Sequence, residues 1–486
     1  MRKLHFLSFV VSAVLIFLIA EANWINLGTK FICSTVVVGL AIIFNVLFSG
    51  TDESDKKADF ILDCYNEFEF VGYDRVQGLL YNSVKNAIDF IYSGSHSLPN
   101  DFYRGILING KSGVGKSLFV KQILSNFDVP KYYVDFAYSY DVNPVKAVFF
   151  YAKKEKDGSP CIIFFDSLNK ISDKYVGCLV REMEKIQDHD IIIVAATNNL
   201  NKVDRKLISL FDQKIDMNMP NKADRIEMFY EVLGHLDIDF DEDDLDELAK
   251  WTNGMTGKEI KAFIYETYKS SKFDDYLNLD DFRNGLKCFI YGHSVYCEQT
   301  FMDLKRTAYH EAGHAIVDGI LNNHEIIEIF ISQREYVKGA VLFSDSCLLN
   351  MSKEDYLNEI DVAVAGLIAE EIIFGSSDDG VIDDLKNATR LAQDMVLKCG
   401  MDKDFGPVGI EMSDRRDGIY CKKEYVKDST ISVRKILKDS CLRVEAILKK
   451  NKNLLDKVAD SLLASEKKSI SGKEFSAIVK EIPYVE

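Results

Sequence analysis

The sequence lacks the residues that hold disulfide-rich domains and cysteine-based metal domains together. Ten cysteines occur among 486 residues, without a CxxC pair or a regular spacing. A disulfide framework and a cysteine zinc knuckle are therefore not expected, and reduced, mostly buried thiols are. Internal repeats and low-complexity tracts are missing as well, and the chain is long enough for three separate cores.

The sequence also lacks a stripe of basic residues. The formal net charge is −17 at pH 7, whereas binding to nucleic acid requires lysine and arginine side chains that neutralise phosphates. Nucleic acid is therefore not an expected partner. The most acidic segment, Asp237–Glu247, is predicted to be a solvated loop followed by the start of a helix, with a docking patch as the alternative.

Histidine is scarce, with 8 residues in the chain, yet two of them stand four positions apart in the run Ala308–Ala315. On a helix, His310 and His314 share one face, so both imidazoles can reach one metal ion while Glu311 stands beside it as a general base. This pattern predicts a metallopeptidase. The alternative is a helix in which backbone carbonyls bind both imidazoles.

A phosphate-binding loop is predicted nearer the amino terminus. Gly105–Asn109 is an apolar run suited to a buried strand, Gly110–Ser117 matches GxxxxGK[ST], and Leu118–Leu124 has helical periodicity. In such a loop the backbone N–H groups surround the phosphates, Lys116 reaches the β and γ phosphates, and Ser117 holds magnesium. An ordinary glycine turn is the alternative. The predicted nucleotide-binding residues here are Gly110, Lys111, Ser112, Gly113, Val114, Gly115, Lys116 and Ser117.

A second part of the predicted nucleotide site follows in Pro160–Asp166. This segment is an apolar strand that ends in an acid, which is the form of a Walker B segment that anchors magnesium. Its distance from the phosphate loop favours that role for Asp166 over the alternative, a plain core strand.

The amino terminus contains two apolar runs without charges, at residues 6–20 and 31–48. Together they predict a transmembrane hairpin, in which the second run is long enough to span a bilayer and the first is marginal. Basic residues flank both runs on the outer sides, so all the chemistry is predicted on the cytoplasmic side or its organellar equivalent. Ala20–Ala22 resembles a signal-peptidase site, and cleavage there would leave a single span with the same orientation.

These motifs together resemble the membrane-anchored AAA+ zinc metalloproteases of the FtsH type, which include mitochondrial and plastid relatives. The resemblance covers the chain from about Phe70 to about Gly409. Beyond the phosphate loop and the Walker B strand, the similar segments are Phe70–Asp74, Ile193–Asn198, Thr252–Ile260, Thr307–Ile316, Ala369–Gly375 and Asp383–Thr389.

The resemblance implies roles for further residues. Val71 and Gly72 would contact adenine, Asn198 would be the sensor asparagine, and Asp384 would be the third zinc ligand. Two histidines and a carboxylate leave a fourth zinc position open, as catalysis needs. The residues alone do not distinguish Asp384 from the neighbouring acids Asp378, Asp379 and Asp383, and Asp384 could instead orient a histidine from behind. The implied cofactors are one Zn²⁺ per chain and ATP or ADP with Mg²⁺.

The sequence departs from the family in the groups that hydrolyse ATP. Ser167 follows Asp166 where the family has a glutamate that orients the attacking water, and a hydroxyl cannot serve as that base. The stretch Leu207–Gln213 is shorter than its counterpart and contains no arginine, whereas an arginine finger contributes about 10³ to 10⁵ in rate. Arg205 lies nearby as a possible substitute.

A second departure concerns the loop that grips substrate in the family. Between the predicted strand Lys131–Asp135 and the helix that begins near Val145, the aromatic pore loop is missing. Tyr138 and Tyr140 are interpreted as loop aromatics, with a displaced remnant of the pore loop as the alternative. The chain is therefore predicted to bind ATP and to lack the groups that hydrolyse and use it.

The predicted fold class is an α/β AAA+ P-loop nucleotide domain with a helical lid, then a mostly α-helical zinc metalloprotease domain, behind a transmembrane hairpin. The predicted boundaries are 1–50 for the anchor, 51–66 for a linker, 67–218 for the nucleotide domain, 219–295 for the lid and 298–486 for the protease domain. Helices are predicted over Arg225–Leu233, Leu245–Trp251, Lys258–Tyr268, Asp280–Phe289 and, as a surface helix, Ser432–Lys452; strands are predicted over Ile326–Ile331 and Gly339–Phe343.

The predicted function is hydrolysis of flexible or membrane-associated polypeptides by a zinc endopeptidase anchored in membrane lipid. Its ATPase ring, a homo-hexamer or a mixed ring with paralogues, would bind ATP and hydrolyse it poorly or not at all. One alternative is a regulatory subunit that contributes structure to a mixed ring, and another is a conventional ATP-dependent protease.

Overall fold

The computed structural model describes Phe60, Leu62 and residues 70–93, 103–154, 159–185, 190–271, 277–295, 299–344, 351–407, 409 and 423–485. The spans predicted at 6–20 and 31–48 lie outside these residues. Within the described part of the chain, no helix combines the length and the hydropathy needed to cross a membrane. The chain forms two compact units, one from Arg75–Lys111 with Lys116–Met217, and the other from Glu67–Asp74, Ser112–Gly115 and all residues from Asn218 onward.

The first unit is built on a parallel sheet of five strands in the order β2-β3-β4-β1-β5. Strands β3 and β4 are buried along their whole length, which fits the continuous apolar runs that formed the basis of the strand predictions. The strands are β1 (Gly105–Asn109), β2 (Lys131–Asp135), β3 (Cys161–Asp166), β4 (Ile191–Thr197) and β5 (Gln213–Asp216).

Helices connect these strands, and the parallel arrangement brings the carboxyl ends of β1, β3 and β4 to one edge of the sheet. The phosphate loop follows β1, Asp166 ends β3, and Asn198 follows β4. The predicted nucleotide residues of this unit therefore meet at that edge. The helices are α1 (Asp74–Ser93), α2 (Lys116–Ser125), α3 (Pro144–Lys153), α4 (Asp173–Glu184) and α5 (Arg205–Ser209).

The second unit begins, after the sheet, with four helices that match the predicted lid. Each starts at a side chain that accepts a backbone N–H, and Asp241 does this within the acidic run, where a helix start was predicted. The rings of Phe229, Phe263 and Phe282 pack edge to face between the helices. The helices are α6 (Lys222–Gly234), α7 (Glu242–Trp251), α8 (Gly257–Ser270) and α9 (Leu279–Tyr291).

The same unit continues into a helical region with a small antiparallel sheet in the order β7-β6-β8. Its helices pack around the long helix α10, in which most residues from Thr307 to Asp318 are buried and the apolar ones belong to the core. The elements are α10 (Phe301–Leu321), β6 (Ile326–Phe330), β7 (Ala340–Phe343), α11 (Lys353–Phe374), α12 (Ile382–Gln393), a π-helical turn (Asp394–Lys398), α13 (Lys423–Lys450), α14 (Lys452–Ala464), β8 (Ser469–Ser471) and α15 (Gly472–Glu481).

Two features of this region differ from the sequence predictions. The charged segment predicted as a surface helix from Ser432 to Lys452 is α13, and one face of it is buried: Val444 and Leu448 are inaccessible to solvent and belong to the core. The helix also ends earlier than predicted, at Lys450, and Asn451 precedes the first residue of α14. Strand β8 was not predicted, because the three residues Ser469–Ser471 are too short to show an alternating pattern.

Candidate metal centre and nucleotide-binding loop

Three side chains from two helices converge in the second unit. His310 and His314 lie one turn apart on α10, and their Nε2 atoms are 3.1 Å apart. The Oδ2 atom of Asp384, on α12, lies 3.0 Å from Nε2 of His310 and 3.4 Å from Nε2 of His314. One donor atom from each residue lies within 4.8 Å of the others. Two imidazole nitrogens and one carboxylate oxygen are a donor set that suits zinc.

The opposite nitrogen of each imidazole is already engaged. Nδ1 of His310 lies 2.8 Å from Oε1 of Glu370, and Nδ1 of His314 lies 2.7 Å from the carbonyl oxygen of Val362. Since these oxygens accept the Nδ1 proton, the lone pair of each neutral imidazole sits on Nε2 and points toward Asp384. The histidine tautomers required for metal binding therefore follow from hydrogen bonds made by α11.

The structure distinguishes the four acids that the sequence left as candidates for the third zinc ligand. Asp384 alone among them approaches the histidines. Asp383 pairs with Lys386 and Asp379 with Lys338 on the surface, whereas Asp378 accepts the backbone N–H of Gly380. Asp384 lies on the Nε2 side of both rings, whereas Glu370 lies behind His310, at its Nδ1 atom.

Burial and charge set the acidity of this cluster in opposite directions. Burial lowers the pKa of His310, but its hydrogen bonds with Asp384 and Glu370 outweigh burial and raise the pKa to about 10. Burial raises the pKa of Asp384, but the bonds with both histidines hold it well below its usual range. Burial raises the pKa of Glu311, against the opposing charges of the two imidazoles. A cation at this site would replace the proton that the three ligands otherwise share.

Two glycines allow other backbone segments to approach the cluster closely. A Cβ atom at Gly366 on α11 would lie 2.5 Å from Nε2 of His310 and 2.6 Å from Nε2 of His314. A Cβ atom at Gly339, just before β7, would lie 2.9 Å from Oε1 of Glu311. Any larger residue at either position would displace an imidazole or the carboxylate of Glu311.

The cluster opens into a cleft of about 710 Å³ in the second unit. Strand β7, at the edge of its described sheet, forms one wall together with Lys338 and Gly339. The region around Asp378–Lys386 forms another wall, and Ile382 within it is half exposed. An extended polypeptide would find the edge strand of the described sheet, apolar surface and charges of both signs in this cleft.

Part of the predicted nucleotide site lies in the first unit. Nζ of Lys116 donates to the carbonyl oxygens of Gly110 and Lys111, 2.7 Å from each. Asp166 is hydrogen bonded to the hydroxyl of Ser117, and burial raises the pKa of Asp166. The two predicted magnesium ligands are therefore adjacent. Asn198 is exposed at the end of β4, and its backbone N–H donates to Asn169.

The remaining loop residues lie in the second unit, with the adenine segment. Gly113 and Gly115 have φ angles of +89° and +98°, which only glycine adopts readily. The ring of Phe70 lies 2.8 Å from the position of a Cβ atom on Gly115, so the segment that contains Val71 and Gly72 borders the loop. Val114 is buried and Ser112 is exposed in the turn. The backbone N–H of Lys258, at the start of α8, donates to the carbonyl oxygen of Gly113.

The structure describes four residues at or near the positions where this sequence departs from the family pattern. Ser167 has a left-handed backbone with φ of 54° and donates its N–H to Asp166. Arg205 is exposed at the start of α5. Tyr140 stacks on Phe60 and its hydroxyl donates to the carbonyl oxygen of Asp135, as expected of a packed loop aromatic, whereas Tyr138 is 71% exposed.

Comparison with known proteins agrees with this architecture, that of an AAA module followed by a helical metallopeptidase. A model of peptidase family M41 matches residues 300–478, and a model of the ATPase family associated with various cellular activities (AAA) matches residues 106–219. Proteins named ATP-dependent zinc metalloprotease FtsH are similar over most of the chain. That of Caldicellulosiruptor bescii is 28% identical over 82% of this chain and 70% of its own length, and that of Cyanidium caldarium is 28% identical over 78% and 66%.

A third relative, ATP-dependent zinc metalloprotease FtsH 3 of Symbiobacterium thermophilum, is 27% identical over 78% of this chain and 66% of its own length. The chain thus spans about two thirds of the length of these relatives. These matches together support an AAA zinc metalloprotease of the FtsH type. The family uses zinc in its protease domain and ATP with magnesium in its AAA domain.

Several residues that shape the candidate metal centre were not predicted from the sequence. Glu370 and Gly366 are the most important of them, and Arg306 supports Glu370 by donating to its Oε2 atom at 2.8 Å. Glu370 lies in the segment Ala369–Gly375, which was recognised as similar to the family but given no role. A buried acid in a helix that packs on the histidine helix was the available signal, and no local pattern marks Gly366.

Proposed function

We propose that this protein is a zinc endopeptidase that cleaves flexible polypeptides. The convergence of His310, His314 and Asp384 within 4.8 Å, with Glu311 buried beside them, carries this proposal. In it, His310, His314 and Asp384 are the zinc ligands and Glu311 is the general base. When bound, the ion would supply Lewis-acid activation of water and of the peptide carbonyl.

The residues of the chain supply the remaining steps. Glu311 takes the proton of the attacking water and passes it to the nitrogen of the departing amine. Its burial raises its pKa, which makes it a better proton acceptor than an exposed glutamate. Glu370 and Val362 hold the two imidazoles in position throughout, because each accepts a proton from Nδ1. An extended substrate pairs with β7 and presents its scissile bond to Glu311.

The test uses Glu311→Gln, which removes the base and keeps the shape of the side chain. The variant should hold about one zinc per chain, measured by metal analysis, and should lose cleavage of an unfolded protein such as reduced casein. Glu371→Gln changes an exposed acid on α11 and should cleave like the wild type. Equal proteolysis by the wild type and Glu311→Gln would contradict the assignment of Glu311 as the general base.

The ATPase part is proposed to bind ATP with magnesium and to hydrolyse it poorly or not at all. The adjacency of Lys116, Ser117 and Asp166 supports binding. The presence of Ser167 in place of a glutamate, and the absence of arginine from Leu207–Gln213, support weak turnover. The same substitutions favour a second candidate function, a structural subunit of a mixed ring in which active paralogues supply the turnover.

The assembly is proposed to be a membrane-anchored hexamer, with the apolar runs at 6–20 and 31–48 as the anchor. Tethering to membrane lipid raises the local concentration of subunits, so deletion of residues 1–50 should weaken the ring. Native mass spectrometry of the detergent-solubilised full chain should show hexamers, and a purely monomeric spectrum would contradict the proposal. Paralogues recovered with the chain would favour the mixed ring.

A further inference from the structure

One residue of the lid reaches into the peptidase cleft. Tyr291 is the last residue of α9, in the segment that the sequence assigns to the lid, yet its side chain lines the cleft together with His310, Glu311 and His314. Neither the metal-binding pattern nor the predicted domain boundaries assigns it a role. The lid segment thus contributes a tyrosine to the lining of the cleft that contains Glu311.

The end of α9 is fixed to the small sheet by several contacts. One turn before Tyr291, Nζ of Lys287 donates to Oε1 of Glu328 on β6 at 2.7 Å, and both side chains are almost inaccessible to solvent. The carbonyl oxygen of Tyr291 accepts the N–H of Tyr336. The ring of Tyr291 lies 5.6 Å from the ring of Phe330 on β6. The phenol therefore belongs to a rigid framework rather than to a loose linker.

The chain just after Tyr291 is fixed to the same wall. Arg334 is 5% exposed, and its guanidinium donates to the carbonyl oxygen of Gly292 at 3.0 Å. Ser294 and Arg334 form an antiparallel bridge, and the N–H of Val295 donates to the carbonyl oxygen of Gln333. Groups that stabilise a transition state must be held in place by their supporting contacts, and Tyr291 meets that condition on both sides.

The geometry brings this framework next to the base. A Cβ atom on Gly339 would lie 2.8 Å from the carbonyl oxygen of Phe330 and 2.9 Å from Oε1 of Glu311. The backbone of Phe330 and the carboxylate of Glu311 thus both border Gly339, and the ring of Phe330 packs against Tyr291. Burial, and then the negative charge of Glu311, raise the pKa of Tyr291 to about 12. The phenol therefore stays protonated at neutral pH and is available as a hydrogen-bond donor.

We propose that Tyr291 is a further catalytic residue, whose hydroxyl donates a hydrogen bond to the carbonyl oxygen of the scissile peptide. This inference rests on the proposed endopeptidase function. As water adds to the carbonyl carbon, the carbonyl oxygen gains negative charge while Tyr291 keeps its proton. A preorganised donor at that oxygen stabilises the transition state more than the bound substrate, so it raises kcat and leaves KM nearly unchanged.

The main test is Tyr291→Phe in the full-length, zinc-loaded protein, which keeps the ring that packs on Phe330. With a quenched fluorescent peptide as substrate, kcat should fall by about 10²-fold, the size of effect seen when one such donor is removed, with little change in KM. Tyr230→Phe removes a hydroxyl from a tyrosine of α6 that is 74% exposed, and it should behave as the wild type.

A binding measurement separates a catalytic role from a structural one. A peptide phosphonate carries a tetrahedral, anionic group in place of the scissile carbonyl, so Tyr291→Phe should weaken its binding by a factor similar to the loss in kcat. In the Glu311→Gln background, which does not cleave, Tyr291→Phe should leave the Kd for the uncleaved peptide unchanged.

The outcomes distinguish this inference from the function on which it rests. Unchanged kcat in Tyr291→Phe, or a loss confined to KM, in a protein that cleaves peptide would overturn the role of Tyr291 alone. Equal weakening of phosphonate and uncleaved peptide would reduce Tyr291 to a binding contact. A wild-type protein that cleaves no peptide in the presence of zinc would overturn both proposals.

Discussion

At the scale of single residues, the candidate metal centre depends on Glu370, whose carboxylate lies behind His310, on the side away from Asp384. Glu370 is almost fully buried, contacts Nδ1 of His310 and receives hydrogen bonds from Arg306 and from the backbone of Asp378. Its pKa is lowered, because the bonds from His310 and Arg306 outweigh the effect of burial. A charged acceptor behind an imidazole raises the basicity of the nitrogen that binds the metal.

Replacing this carboxylate by an amide should weaken the site without removing it. In Glu370→Gln, we expect zinc affinity to fall about 10- to 100-fold, because an uncharged oxygen still orients His310 but no longer increases its basicity. Competition with a chromogenic chelator measures the change in Kd. Glu371→Gln alters the exposed neighbour and should keep the wild-type zinc affinity. The same zinc affinity in both variants would show that Glu370 does not contribute to it.

Gly366 is the second residue on which the candidate site depends, because it lets α11 lie against both imidazoles. In Gly366→Ala, the new methyl group would lie 2.5 Å from Nε2 of His310. The imidazoles cannot swing away freely, since Glu370 and Val362 hold their Nδ1 atoms. We expect loss of zinc and of cleavage, even though alanine favours a helix over glycine by about 1 kcal/mol.

A matched control for this substitution is Gly177→Ala in α4, where a Cβ atom would meet nothing within 4 Å. It should keep zinc and cleavage and slightly raise thermal stability. Metal analysis after gel filtration, with circular dichroism to verify the fold, distinguishes the two variants. Full zinc occupancy in Gly366→Ala would mean that the helices can separate at little cost.

At the scale of elements, the lid is linked to the peptidase region by the joint between α9 and β6, which is the buried ion pair of Lys287 with Glu328. Burial lowers the pKa of Lys287, and the adjacent carboxylate of Glu328 opposes that change. Removing one partner of a buried ion pair leaves an uncompensated charge, at a cost of about 3–5 kcal/mol, whereas replacing both by apolar residues can be nearly neutral. The pair therefore contributes more to alignment than to net stability.

The buried pair of Lys287 and Glu328 predicts an order of stability among its variants. Glu328→Leu should lower the midpoint of thermal unfolding of the second unit clearly, and the double variant Lys287→Met with Glu328→Leu should recover most of that loss. Lys449→Met, which breaks an exposed pair with Glu445 on α13, should change the midpoint little. Scanning calorimetry would reveal the order, and a double variant that is less stable than Glu328→Leu would refute it.

At the scale of the whole molecule, nucleotide is expected to act as a ligand that stabilises the fold. Binding uses loop N–H groups, Lys116 and magnesium, and every residue of the motif is present. Saturating ATP with magnesium should therefore raise the unfolding midpoint by mass action, by an amount equivalent to about 2.7 kcal/mol at 100 times Kd. Steady-state hydrolysis should remain near background, and flexible substrates should be cleaved without ATP.

Lys116→Ala should abolish the ATP-induced rise in the unfolding midpoint, whereas Glu311→Gln should keep it, since that substitution affects only the peptidase site. Differential scanning fluorimetry and a phosphate-release assay provide the two measurements. Brisk ATP turnover by the homo-oligomer, lost in Lys116→Ala, would contradict the prediction of a weak ATPase. Turnover that appears only with a paralogue would support the mixed ring.

The elements with local signals can be predicted from the amino-acid sequence. The phosphate loop between β1 and α2 follows from its glycines and flanking apolar runs, and the pairing of His310 with His314 follows from the helical repeat. The lid helices, β6 and β7 were predictable for the same reason. These features depend on residues within a few positions of one another, so periodicity and turn chemistry are sufficient to predict them.

The distant groups that complete the site cannot be predicted in this way, because they are brought together by helix packing. The selection of Asp384 over its neighbours, the support of His310 by Glu370 and the close approach of Gly366 depend on how α10, α11 and α12 pack. The presence of Tyr291 at the cleft likewise depends on the joint between α9 and β6. Such contacts join residues far apart in the chain, and spacing along one sequence contains no information about which helix faces will meet.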